Sequence, residues 1–185
     1  YVFETHFHAD FVSGHLDLSQ KTGASIVYGP TAKPAFEAYI AKDGEVLKFG
    51  KASLTVLHTP GHTMESTCFL LIDEHGKEKA LFSGDTLFIG DVGRPDLLER
   101  AANIKGTMEK GARTLWESIQ KFASEEDWLQ IWPGHGAGSA CGKGISAIPH
   151  STLGYEKKFN WAFACRTEGE FVDQVLAGQP DPPRY

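Results

Sequence analysis

Four short runs just after strand-like segments carry histidine or aspartate, and that placement constrains the chain's fold more than any other feature. The runs are Thr5-His6-Phe7-His8-Ala9-Asp10-Phe11, Thr59-Pro60-Gly61-His62, Ser83-Gly84-Asp85-Thr86 and Pro133-Gly134-His135. The preceding stretches read as strands: Tyr1–Thr5, Ala52–His58 (Leu54 and Val56 alternating with Ser53 and Thr55), Lys79–Phe82 and Trp128–Trp132. A strand that ends in a turn delivers its next polar residue to a loop at the sheet's edge, where functional groups collect. Imidazoles and carboxylates gathered at one edge form the donor set that a first-row metal needs. A lone His-x-His would as readily be a hydrogen-bonded surface pair, but four such clusters in succession point to a shared centre. His15, His75 and His150 read as solvated or structural, and His58 as packed at a strand end.

The remaining segments supply the layers around that edge. Ser13 is placed to cap a helix running to Lys21, with Gly23 as its C-cap, and Ala24–Tyr28 reads as a strand. Ala35–Ala41, between Pro34 and the Asp43-Gly44 turn, reads as a short helix. Cys68–Ile72 is continuously apolar, as a strand covered on both faces would be. Met108, Ala112, Leu115, Trp116, Ile119 and Phe122 share one face of a helix over Thr107–Ala123. Two helical patches follow at Ser151–Trp161 and Glu168–Ala177. The interleaving gives an α/β or α+β class with helices on the sheet faces. One domain is expected over 1–178, with a proline-rich, linker-like tail at 179–185.

A formal net charge of −6 without a basic patch argues against a nucleic-acid surface. The longest apolar run is too short to span a bilayer. Three cysteines without Cys-x-x-Cys spacing fit a reducing compartment, and a cytoplasmic location is expected.

The succession HFHAD, TPGH, SGDTLF and PGH resembles the metallo-β-lactamase superfamily, over residues 1 to about 160. The resemblance implies a four-layer αββα sandwich with a metal at one edge. Members of that superfamily have a β-rich segment before the His-x-His motif, so this chain is expected to lack the first strands. It is then expected to expose a sheet edge and to form a homo-oligomer. Within the superfamily, GDVGRPDL and GHGAGSACGK resemble the persulfide dioxygenases, the family of the ethylmalonic encephalopathy protein. The bacterial branch often fused to a rhodanese domain looks nearest, which implies such a domain in the parent protein.

Dinuclear members of the superfamily read His-x-His-x-Asp-His, but here Phe11 holds the last position. The resemblance therefore implies one Fe(II) per chain on His6, His62 and Asp85, with zinc able to take the same ligands. His8, Asp10 and His135 are expected to orient ligands or water by hydrogen bonds, with direct ligation by His8 left open. Arg94 is placed near the site, where Asp96 either aims it at substrate or merely fixes the loop with it. Cys141 is either a sulfur-exchanging thiol, its pKa lowered by Lys143 or the metal, or a small residue in a tight loop. Lys143, Tyr155, Lys157 and Lys158 are candidates for holding a carrier thiol. The implied activity is oxidation of a glutathione or coenzyme A persulfide by O2 to sulfite and free thiol. The alternatives are a glyoxalase II-type zinc thioester hydrolase and a non-catalytic partner-binding remnant.

Overall fold

Alternating apolar residues and turn glycines build two sheets, seen in a computed structural model that describes residues 1–100 and 104–182. The smaller sheet is parallel throughout, in the order β1 (Val2–Phe3), β2 (Ile26–Tyr28) and β3 (Tyr39–Ile40). The larger holds β4 (Val46–Phe49), β5 (Ala52–His58), β6 (Thr67–Ile72), β7 (Glu78–Gly84), β8 (Gln130–Pro133) and β9 (Ser151–Thr152), in chain order. Its pairs are antiparallel except β7 with β8. A parallel pair requires a crossover. The intervening chain supplies it, with α2 (Leu97–Arg100) and α3 (Thr107–Gln120). The same step brings the ends of β7 and β8 to one edge, so Asp85 and His135 meet there.

Between the sheets lie Val27, Leu47, Leu54, Val56 and Phe69, with Phe3 packed against them. The opposite face of the large sheet meets α3 through Ala112, Leu115 and Ile119. Phe171 and Val175 of α6 (Glu168–Leu176) complete this core. Burying a side chain such as Leu115 or Phe171 contributes about 2 kcal/mol. Before α6 come α4 (Leu153–Phe159) and α5 (Trp161–Ala164). On the far side of the small sheet, Ile26, Tyr28 and Ala32 form a third cluster. It is bordered by α1 (His15–Thr22), whose His15 ring lies 4.7 Å from that of Phe36. Helix, sheet, sheet and helices make the four-layer sandwich. In β6, Cys68 and Leu70 face the helices while Phe69 faces the small sheet, which explains the unbroken apolar run.

Beyond β1, the inner faces of β7 and β8 leave Phe82 and Trp132 each 40% exposed. With Phe3, Leu54 and Phe69 they line a cleft of about 340 Å³. No helix among the described residues is long and apolar enough to cross a membrane.

Several local expectations are corrected. The helix expected at Ala35–Ala41 does not form. Seven residues repay little of the cost of helix nucleation, and the β2 edge offers backbone partners instead. Tyr39 and Ile40 pair with Val27 and Tyr28, and the Ala41 amide donates to the Tyr28 carbonyl at 2.9 Å. Ser13 does not cap α1: its hydroxyl donates to Glu4 Oε1 at 3.0 Å, and Gly14 holds the N-cap without a side-chain bond. Gly23 does close the helix, left-handed at φ 71°. The first strand shortens to Val2–Phe3, and β4 forms a hairpin with β5 that the sequence reading passed over. The long helix tightens into a 3-10 turn over Lys121–Ser124. The patch at Ser151–Trp161 divides into β9, α4 and the start of α5, with Asn160 capping α5. Of the tail, residues 183–185 lie outside the described residues.

Candidate metal centre

Four loop starts converge at the edge where β1, β5, β7 and β8 end. Asp85, directly after β7, is 1% exposed and is the hub. Its Oδ2 lies 3.5 Å from His6 Nε2 and 3.4 Å from His62 Nε2. The His135 Nδ1 atom sits 2.8 Å from Oδ1 and 2.9 Å from Oδ2. One ligand atom from each of His6, His62 and Asp85 falls within a 4.8 Å group, and all three residues are buried. Ligands held about 2.1 Å from one ion stand about 3.4 Å apart when tetrahedral, so the spacing suits a single cation.

The rings are fixed from behind. His62 Nδ1 donates to the Arg94 carbonyl at 2.8 Å, which leaves Nε2 with its lone pair toward Asp85. His6 Nδ1 meets the Thr5 hydroxyl at 2.9 Å. Burial pushes the His62 pKa down to about 4 against the pull of Asp85, so its ring stays neutral, as a ligand must be. Burial alone would raise the Asp85 pKa, but hydrogen bonds from His135 and His6 and the neighbouring imidazoles hold it well below the usual carboxylate range. The same bond to Asp85 raises the His135 pKa.

Two glycines are required by close approach. A Cβ on Gly93 would lie 1.9 Å from the Asp85 carbonyl and 3.0 Å from the His62 ring, and one on Gly134 would lie 2.6 Å from Asp85 Oδ1. Gly93→Ala is therefore expected to displace two donors at once and lower zinc affinity by more than about tenfold, measured by chelator competition.

His8, Asp10 and His135 form a second donor group within 4.8 Å, beside the first. His135 Nε2 lies 3.0 Å from Asp10 Oδ2, so one imidazole links Asp10 to Asp85. Burial lowers the His8 pKa to about 4. The Phe11 ring lies 4.1 Å from that of His8 and 6.0 Å from that of His135. It adds a hydrocarbon where a fourth donor would complete this second group.

Arg94 is fully buried and reaches the centre only through its backbone and its loop contacts. Its Nε and Nη2 donate to the two Asp96 oxygens at 2.7 and 2.9 Å, and Nη1 donates to the Ala140 carbonyl at 3.0 Å. Its amide donates to the Cys141 carbonyl at 3.0 Å. Arg94→Met should cost about 2–3 kcal/mol in thermal or denaturant unfolding, because the buried Asp96 carboxylate loses its two-pronged partner and keeps only the Arg100 guanidinium, 3.1 Å away.

Cys141 joins Asp85 and His135 in a third donor group, buried. Burial and the Asp85 charge push its thiol up to about 12, and Lys143 does not offset them. The reason is that Lys143 turns away. Its ammonium bonds the Gln174 and Ala177 carbonyls at the end of α6 and lies 4.8 Å over the Trp161 ring. Lys157 pairs with Asp127 at 2.9 Å, and Lys158 lies 5.5 Å over Phe159, so these cations too have internal partners. Tyr155 stands half exposed with its ring 4.6 Å from that of Phe159.

Sequence reading missed the groups that hold the loops in place. Asp91 Oδ2 accepts from the Lys143 and Gly144 amides at 2.9 and 2.7 Å, and Oδ1 accepts from Trp161 Nε1 at 2.8 Å. Glu156, 0% exposed, accepts from the Gly90 amide and from Asn160 Nδ2. Asp91 lies inside the GDVGRPDL stretch and was signalled by it, whereas the tie from Glu156 to Gly90 spans 66 positions and left no local signal.

Stability of the metal-free protein should fall as pH drops from about 6.5 toward 4. In that window the unfolded chain protonates the positions of His62 and His8 while the folded chain does not. His135, whose pKa is raised, works in the opposite sense, with its contribution fully present below pH 6.5. Two lowered groups outweigh one raised group, and a lower melting temperature at pH 4.5 than at pH 7 is the expected result.

The comparisons with known proteins point to one superfamily. The family model of the metallo-beta-lactamase superfamily matches residues 1–135. A metallo-beta-lactamase from Staphylococcus aureus superposes with a TM-score of 0.88 at 44% identity, covering 98% of this chain and 54% of that one. ETHE1 from Myxococcus xanthus superposes with a TM-score of 0.76 at 26% identity, over 98% of this chain and 70% of that one. Among curated proteins, a hydroxyacylglutathione hydrolase from Rhizobium johnstonii is 33% identical over 139 residues, 73% of this chain. The chain spans about half the length of that relative, 47%. With the family model covering most of its length, the chain belongs to the metallo-beta-lactamase superfamily.

Proposed function

We propose that this chain carries an Fe(II)-dependent persulfide dioxygenase centre, on His6, His62 and Asp85. The observation that carries this reading is the buried face of two imidazoles and one carboxylate, with the Phe11 ring packed against the adjoining group instead of a further ligand. Such a face leaves coordination positions open, the arrangement suited to non-haem iron and O2. When bound, Fe(II) would supply the site at which a persulfide R-S-SH and O2 meet, and the overall change is R-S-SH + O2 + H2O giving R-SH and sulfurous acid. The protein's part is positional. Thr5 and Arg94 hold the two imidazoles, and the Asp10–His135–Asp85 chain keeps the carboxylate ionised and oriented. Cys141 lines the side of the site next to Asp85 and His135. The likeness to ETHE1 supports this reading.

Oxygen uptake with glutathione persulfide or coenzyme A persulfide tests it. One sulfite per O2 consumed is expected from the iron-loaded protein, and no uptake would contradict it. A second reading, zinc-dependent hydrolysis of a glutathione thioester, is favoured by the name of the Rhizobium relative. Release of glutathione from a hydroxyacyl thioester by the zinc-loaded chain, without oxygen uptake by the iron-loaded one, would establish it instead.

A further inference from the structure

We propose that Glu4 is the positioning residue of the loop that carries the first donors: its carboxylate ties the far end of that loop back to the strand from which it starts. Glu4 follows β1 directly, and its amide donates to the Val27 carbonyl at 2.9 Å, which anchors its backbone in the small sheet. Its side chain, 11% exposed, crosses to the opposite end of the loop. There Oε1 accepts from the Ser13 hydroxyl at 3.0 Å and lies 3.3 Å from Nδ1 of His15, the first residue of α1. The other oxygen lies 4.0 Å from His8 Nε2. Among the described residues its ionic partners are these two histidines, with no lysine or arginine in reach. The carboxylate therefore holds the chain rather than neutralising a cation.

The tied segment, Thr5 to Gly14, has no helix or strand of its own, yet it carries His6, His8, Asp10 and Phe11. An irregular loop keeps its side chains in register only if both ends are fixed. His6 has a separate hold through Thr5. The influence of Glu4 thus falls on the distal half of the loop, on His8 and Asp10 and their placement against His135.

Amide hydrogen exchange and zinc affinity of the intact chain, measured on Glu4→Ala, Glu4→Gln, Ser13→Ala and the Glu4→Ala/Ser13→Ala double variant, test the proposal. In Glu4→Ala, exchange of the amides at 8–13 is expected to quicken about tenfold or more while the strands keep their rates. Glutamine retains an acceptor for Ser13 and should return exchange to within about threefold of the parent. The double variant should be no faster than Glu4→Ala, because both changes break the same tie. Zinc affinity at His6, His62 and Asp85 should stay within about threefold, since each has its own support. Unchanged loop exchange in Glu4→Ala would overturn the proposal, as would equal acceleration through both sheets or loss of zinc from the first site. None of these readouts depends on whether the centre oxygenates or hydrolyses, so this proposal and the proposed reaction fail separately.

Discussion

Replacing Asp85 with asparagine is expected to lower the protein's metal affinity by more than about 100-fold and to abolish any metal-dependent activity. A change in an outer hydrogen-bond partner typically costs 10–100-fold, and this change removes a ligand. It also removes the charge that organises the centre. One carboxylate holds His6 and His62 about 3.5 Å away through one oxygen and bonds His135 through both. An amide presents a single acceptor oxygen and no charge, so it cannot serve the three rings together. Chelator competition with zinc on the folded variant measures the effect. Retention of parental zinc affinity would show that the metal, if it binds, does not use this face.

Phe11→His is expected to create a second metal site. His8, Asp10 and His135 already lie within one 4.8 Å donor group, and the ring at position 11 lies 4.1 Å from that of His8. An imidazole there would add a fourth donor to three, with Asp85 shared through His135. Zinc bound at saturation should rise from about one to about two per chain. Two adjacent ions also activate water better than one, so thioester hydrolysis should appear or increase in the same variant. A variant that still takes up about one zinc would mean that the second group is a hydrogen-bonding array closed to metal by more than Phe11.

The features legible in the sequence were those written locally. The donor clusters stood out because strand ends carry their own punctuation, and the α3 face because a 3–4 spacing survives in any context. Ala35–Ala41 misled because a seven-residue, mostly apolar segment fits helix or strand equally, and only the free edge of β2 decides between them. Ser13 has the chemistry of a cap, but a buried carboxylate nine positions earlier claims its hydroxyl. Arg94 was found by motif, yet its complete burial and its hold on the Cys141 loop depend on Ala140, distant in sequence. Lys143 does not act on the Cys141 thiol for the same reason: it is two positions away in sequence but directed at the end of α6. The steric need for glycine at positions 93 and 134 is likewise a property of the assembled edge, visible only when Asp85 and His62 are in place.

The metal content of protein purified without oxygen, determined by plasma emission spectrometry, tests the central claim most directly. About one iron per chain, lost in Asp85→Asn and accompanied by oxygen uptake on a persulfide in the parent, is the predicted result. About two zinc ions per chain with no oxygen uptake would contradict it, placing a metal among His8, Asp10 and His135 despite Phe11.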